Sequence, residues 1–295
     1  MNRKTAKGYL FAVLSAVIYG CMPLMSKYIY ADGVNAFTLV FLRNVFSLIP
    51  LGVLAYHQHK TLKVPVKSLP SIGLIAVLGC IVTPILLFSS YQYIPSGTAT
   101  VLHFAYPAVV MIGGILFFRQ KVQAVNIVCM LLCVAGIGLF YSPEQSLDPT
   151  GSVLALSSAV TFAAYVLLLS RFDNRNASGF LFCFYSTLAS SIISFLICIF
   201  TNRLSLPSTL LGWGLCVLFS LLVTTGAVVL FQQSTFLIGG ERVSILSTLE
   251  PITSVIIGLI VFHEPMGIRT VFGTVLVIAA SILIVVLGKK PEEKA

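Results

Sequence analysis

Ten apolar runs, each at or near the ~20 residues a helix needs to cross a bilayer, occupy almost the whole of this 295-residue sequence. They are roughly Gly8–Tyr30, Val34–Tyr56, Leu69–Ile94, Gly97–Phe118, Val122–Tyr141, Gly151–Phe172, Gly179–Thr201, Gly212–Ile238, Glu241–Phe262 and Ile268–Leu287. Hydrophobic residues make up 58% of the chain and charged residues 9%, against about 25% charged in a soluble globular protein. The fold class that follows is all-α integral membrane, with ten transmembrane helices and the lipid bilayer as one partner. The first run is too long for a signal-peptide h-region and no small-residue cleavage site follows it, so it counts as a true span.

The net charge of +9 does not point to nucleic acid, because the basic residues sit at the ends of apolar runs. It reports orientation instead. An even number of spans puts both termini on one side. That side holds Arg3, Lys4, Lys7, Lys60, Lys63, Lys67, Arg119, Lys121, Arg171, Arg175, Arg242, Lys289, Lys290 and Lys294, and the other holds only Lys27, Arg203 and Arg269. The positive-inside rule then predicts a multi-pass protein of the cell (plasma or inner) membrane with both termini cytoplasmic and Ser142–Thr150 outside.

Inside the ninth run, Glu250 and Pro251 lie roughly 13–15 Å from its start, near the middle of a core ~30 Å thick. An ionisable group at that depth is costly and is read as functional, the alternative being a neutral carboxyl that only holds helices together. The fourth run has the same plan 144 residues earlier. Pro107 matches Pro251, Gly114 matches Gly258 and Phe118 matches Phe262. His103, Tyr106, Val110 and Gly114 share one helical face, as do Ser247, Glu250, Ser254 and Gly258 at the same spacing. The first and sixth runs also correspond, Ser15-Ala16-Val17 with Ser158-Ala159-Val160. Five spans per half is an odd number, so the halves enter the membrane from opposite sides. The expected architecture is two five-helix inverted repeats, residues 1–142 and 143–295, with a binding site between two proline-bent helices.

Ten spans in two halves, with a ninth span that runs from Pro251 to Phe262-His263-Glu264-Pro265, resemble the EamA family of the drug/metabolite transporter superfamily. The fourth span departs from that pattern, ending Phe118-Arg119-Gln120-Lys121 where the family usually has Gly-Glu or a similar acid. The resemblance covers essentially the whole chain. It implies transport of amino acids, purines or other metabolites, mostly export, driven by ion or substrate gradients.

Other polar residues fall inside the spans. Arg43 is read either as a buried partner of Glu250 or as an anion-binding group on a cavity, with a lean toward pairing, because two unpaired charges in one bundle would each be costly. His103 is read as a hydrogen-bonded core residue or a proton-coupling group. Tyr106 stands at the position equivalent to Glu250. Tyr19, Tyr165 and Gln232 add polar groups on flanking spans, while Lys27 and Trp213 read as interfacial anchors. Seven cysteines inside spans do not form a disulfide framework, and Cys129 and Cys133 read as small hydrophobes.

No phosphate-binding GxxxxGK[ST] loop occurs, and His263-Glu264 lacks the second His of HExxH. The expectation is therefore no enzyme, no cofactor and no metal, with Asn176-Ala177-Ser178 discounted as a glycosylation site because it falls in a cytoplasmic loop. The reading is a secondary transporter, an exporter of a small polar or amphiphilic metabolite such as an amino acid, working by alternating access. Its substrate-binding candidates are Glu250, Arg43, His103, Tyr106, Ser247, Tyr19, Tyr165 and Gln232. The alternatives are an exporter of cationic drugs or nucleosides and, outside the class, a channel or a membrane scaffold. A coupling ion or proton and the oligomeric state stay open. The topology has a direct check: a cysteine at Gln145, in a cysteine-free background, reacts with an impermeant maleimide in intact cells. Labelling only after permeabilisation would invert the orientation.

Overall fold

The computed structural model describes residues 3–60, 62–94, 96–119, 123–139, 148–172, 179–253, 256 and 268–287. Ser254, Gly258, Phe262 and the Phe-His-Glu-Pro ending of the ninth run lie outside these residues, as does the Asn176 sequon. Among the described residues the regular structure is entirely helical. Among them six helical stretches are long and apolar enough to cross a membrane, alongside shorter apolar helices.

The elements follow the ten runs closely. The first span is α1 (Arg3–Gly20) and α2 (Met22–Ala31), interrupted at Cys21 ahead of Pro23. The second is α3 (Ala36–His59). The third joins α4 (Leu69–Ala76) and α5 (Thr83–Ser90) through the π-helical segment Val77–Val82. The fourth is α6 (Ser96–His103) and α7 (Tyr106–Phe118), and the fifth is α8 (Ala124–Gly138). In the second half, α9 (Pro149–Arg171) and α10 (Phe180–Phe200) are the sixth and seventh spans. The eighth joins α11 (Leu210–Phe219) and α12 (Val229–Ile238) through a second π segment, Ser220–Val228. The ninth begins with α13 (Gly240–Leu246), breaks at Ser247–Thr248 and resumes as helix at 249–253. The tenth is α14 (Ile268–Leu287).

Helix pairing obeys a two-fold relation. α3 packs along α10 and α8 along α14, which pairs the second span with the seventh and the fifth with the tenth. α1 packs on α12 and α9 on α5, so the first-with-eighth contact repeats as sixth-with-third. Small residues permit the close pairs, as expected where lipid offers helices no hydrophobic drive to associate. α10 carries Ser186, Thr187, Ser190, Ser191 and Ser194, all buried. The hydroxyls of Ser186, Ser190, Ser191 and Ser194 bond back to carbonyls in their own helix, as Ser190 does to Ser186 at 2.8 Å, which satisfies these donors without water.

Prolines set the interruptions. Pro107 and Pro251 lack the N–H that would bond the carbonyls of His103 and Ser247, four residues before them. The helices break there, at positions 144 apart. Pro84 likewise leaves the Cys80 carbonyl without its helical donor, and this carbonyl lies in the first π segment. Two side chains of α3 take over, Arg43 Nη2 at 3.3 Å and Asn44 Nδ2 at 3.5 Å. In the second π segment the Ser47 hydroxyl reaches the Ser220 carbonyl at 3.0 Å. The π segments occupy equivalent places in the two halves, a feature often found at functional sites.

Connections between the halves differ at the two ends. At the end opposite the start of α1, the Asp32 carboxylate accepts from the Ser208 and Thr209 amides at 2.9 and 3.1 Å. Thr38 donates to the Arg203 carbonyl at 3.0 Å and accepts from the Ser205 amide at 2.9 Å. At the α1-start end, Gln58 Oε1 accepts from the Phe180 amide at 3.0 Å and the Tyr185 hydroxyl donates to the Leu62 carbonyl at 2.7 Å.

Gly79 in the first π segment shows how tight the centre is. A Cβ there would lie 2.2 Å from the Tyr165 ring. Gly79→Ala should therefore destabilise the protein by about 1–3 kcal/mol, the usual cost of overpacking. Thermal unfolding in detergent measures it, and an unchanged midpoint would deny the close approach.

Candidate functional site

The bends and π segments meet around one central cavity. Its walls include Tyr19, Arg43, Cys80, His103, Tyr106, Phe162, Tyr165, Phe231, Ser247 and Glu250, and its volume is ≈ 50 Å³. That is room for about three to five water molecules, whereas pockets for organic ligands are typically about 300–1,000 Å³. In this conformation the space is smaller than such ligands need, so a substrate is accommodated only if the walls move apart.

Seven of the eight candidates read from the sequence line this cavity: Glu250, Arg43, His103, Tyr106, Ser247, Tyr19 and Tyr165. Gln232 does not. It is fully buried in α12, where its Oε1 accepts from the Cys183 thiol at 2.9 Å. Its Nε2 has no hydrogen-bond partner among the described residues.

The expected pairing of Arg43 with Glu250 is not made. Among the described residues no ion pair within 4.0 Å joins them, although both face the cavity and are only 3% and 9% exposed. The physical reason is the orphaned carbonyl. Arg43 Nη2 is committed to Cys80, and the guanidinium lies 5.9 Å from the Phe88 ring centroid, on that side of the cavity. Its Nε has no partner among the described residues. Tyr19 stands within electrostatic range of both groups. One guanidinium and one carboxyl group thus face the same small space with hydrogen-bonding capacity in hand.

The remaining polar groups tie the halves together at this depth. His103 Nδ1 lies 2.8 Å from the Ser158 hydroxyl. That hydroxyl donates to the Ala155 carbonyl at 2.6 Å, so His103 Nδ1 carries the proton and donates to Ser158. The Tyr106 hydroxyl, on the first-half bend, reaches the Ser244 carbonyl at 3.4 Å in α13. α1 approaches the second-half bend very closely, for a Cβ on Gly20 would lie 2.8 Å from the Glu250 carbonyl.

Aromatic rings supply the rest of the wall, and sequence reasoning missed its phenylalanines, Phe88, Phe162 and Phe231. Phe162 is the hub: Tyr106 meets it edge-on at 4.7 Å, and His103, Tyr165 and Phe231 lie at 5.3, 5.4 and 5.4 Å between centroids. In an apolar helix nothing distinguishes a cavity phenylalanine from a lipid-facing one. The signal that could have found the π segment was Gly79 with Pro84. Cys80, which the sequence offers only as one of seven cysteines inside spans, is a cavity residue through both its place and its carbonyl.

This bundle, with its two inverted halves and a polar cavity at their proline bends, defines a membrane transporter class, and the comparisons with known proteins agree. The EamA-like transporter family profile matches residues 6–142 and again 149–286. The chain belongs to that family. A transporter of uncharacterized function from Haemophilus influenzae is 26% identical over a match spanning 59% of this chain and 60% of that protein. An S-adenosylmethionine uptake transporter from Rickettsia felis is 25% identical across 94% of this chain and 92% of its own length. A solved crystal structure superposes with a TM-score of 0.78 over 96% of this chain and 97% of that one, at 16% identity, and so shares the fold. The family's named members are transporters and not enzymes.

Glu250→Gln keeps the side chain's shape and removes its charge. Transport should fall at least about thirtyfold, in line with the loss of one partner of a buried charged contact, while detergent-extracted yield and melting stay near wild type. Normal transport by this variant would make Glu250 a structural residue.

Proposed function

We propose that the protein is a secondary transporter that exports a small zwitterionic metabolite, with an amino acid as the leading class, across the cell membrane. The observation that carries this is a guanidinium and a carboxyl group, both buried and not bonded to each other, on one cavity. Arg43 meets a carboxylate through donors that the Cys80 carbonyl leaves unused. Glu250 meets the ammonium. The Phe162-centred rings take the apolar part of the substrate, or a second positive charge against their faces.

The two halves, residues 1–142 and 143–295, act as the moving units, each bend being shared between them. Both termini are cytoplasmic in this reading, which rests on the distribution of basic residues. Export follows the family resemblance, while the Rickettsia relatives are named for uptake, so direction is a quantity to measure. Those names also favour a second reading, a cationic substrate held by Glu250 and the rings, because S-adenosylmethionine carries both an amino-acid end and a sulfonium.

Counterflow in proteoliposomes separates these. With a transported amino acid as reference, its amide lacks the carboxylate and its N-acetyl derivative lacks the ammonium. Each should compete at least about tenfold more weakly. Arg43→Gln should abolish the discrimination against the amide only, and Glu250→Gln that against the N-acetyl compound only. Equal competition by amide and amino acid would favour the cationic reading, and no saturable counterflow would indicate a channel or scaffold.

A further inference from the structure

We propose that a second groove, at the α1-start end of the bundle and apart from the central cavity, binds the phosphate headgroup of an anionic phospholipid. The groove lies between the start of α4 and the end of α9 and has a volume of ≈ 390 Å³. Lys67, Ser68 and Ser71 form one wall and Arg171 the other, over a floor that includes Leu74 and Leu168. The Lys67 ammonium and the hydroxyls of Ser68 and Ser71 have no hydrogen-bond or ion-pair partner among the described residues. Arg171 rests its guanidinium over the Phe118 ring, 4.7 Å from the centroid, which positions it while leaving its N–H donors unused. No acidic residue lines the groove among the described residues.

The two-fold relation of the fold provides an internal comparison. Adding 144 to Lys67, Ser68 and Ser71 leads to the start of α11 at the opposite end, where Gly212 stands for Ser68. There the protein supplies its own anion. The Asp32 carboxylate bonds the Ser208 and Thr209 amides and sits so close to α11 that a Cβ on Gly212 would lie 1.8 Å from its Oδ2. The residue 144 places after Asp32 is Asn176, an uncharged amide. Asn176 and the nearby Asp173 lie outside the described residues. One corner of the inverted pair therefore carries a carboxylate on the helix start, while the described residues of its counterpart carry two cations and hydroxyls without a partner.

An inside-positive charge bias explains basic residues at this end but not a groove between two of them. The apolar floor selects a lipid over a free anion. Leu74 is half exposed and Phe117, next to the ring under Arg171, is largely exposed, so the floor continues onto surface available to acyl chains. Basic pockets between helices at a membrane interface are suited to such headgroups.

Native mass spectrometry of the purified full-length protein, offered equimolar dioleoyl phosphatidylglycerol and phosphatidylcholine, tests this without a transport assay. Each basic side chain contributes about fivefold to anionic-lipid affinity, so wild type should retain phosphatidylglycerol at least about tenfold better. Lys67→Gln with Arg171→Gln should remove that preference, and Lys67→Arg with Arg171→Lys should keep it. Millimolar inorganic phosphate should not displace the lipid. The proposal is overturned by equal retention of the two lipids in wild type, or by an undiminished preference in the double Gln variant. Displacement by phosphate alone would show a free-anion site instead. A preference appearing only in Asp173→Asn would show that the protein's own carboxylate fills the groove.

Discussion

A backbone carbonyl without a donor is expensive inside a bilayer, where no water can replace the missing bond. Three prolines, Pro84, Pro107 and Pro251, each remove a helical donor in the middle of this bundle, and at the last of them the Ser247 carbonyl takes the Glu250 amide instead, at 2.9 Å. The consequences reach from local geometry to the site. The freed Cys80 carbonyl draws Arg43 and Asn44 from the neighbouring α3. The breaks before Pro107 and Pro251 bring Tyr106 and Glu250 to the cavity. The guanidinium is held on one side of the cavity by backbone, and among the described residues the Glu250 carboxyl group is left without it as a partner.

The inverted repeat gives each half the same backbone devices: one bend, one π segment and one long helix packed against its counterpart. Chemistry enters where the two copies differ in side chain. Tyr106 answers Glu250, His103 answers Ser247, and Thr187 stands in α10 where α3 has Arg43. The first-half bend is tied across the interface by hydrogen bonds from His103 and Tyr106, while the second-half bend contributes an acid. A symmetric scaffold suits two states of similar energy, and under the proposed function it is the asymmetric lining that meets the two ends of one substrate.

Much of this was legible in the residues. Run length gave the spans, the 144-residue spacing gave the two bends, and the cost of a buried acid singled out Glu250. The inferred partnership of Arg43 and Glu250 failed for a definite reason: desolvation says that a buried charge needs a partner, but not that a carbonyl released by Pro84 will provide it. Gln232 was placed by polarity alone, and polarity does not reveal which face of α12 meets the cavity. Phe162 was invisible because nothing in the residues of an apolar span marks one phenylalanine as facing a cavity. Periodicity, which separates buried from solvated faces in soluble helices, loses its contrast when lipid replaces water.

The central claim is that one cavity at the two bends is reached alternately from the two sides of the membrane. Ser247 is buried in its wall, and Ser247→Cys in a cysteine-free background makes it a reporter. In proteoliposomes of known orientation, an impermeant thiol reagent should label it from either side, with transported substrate slowing both reactions. Locking one face by a crosslink should abolish labelling from that face while preserving it from the other. Labelling from a single side under all conditions, or rates indifferent to substrate, would contradict alternating access around this cavity.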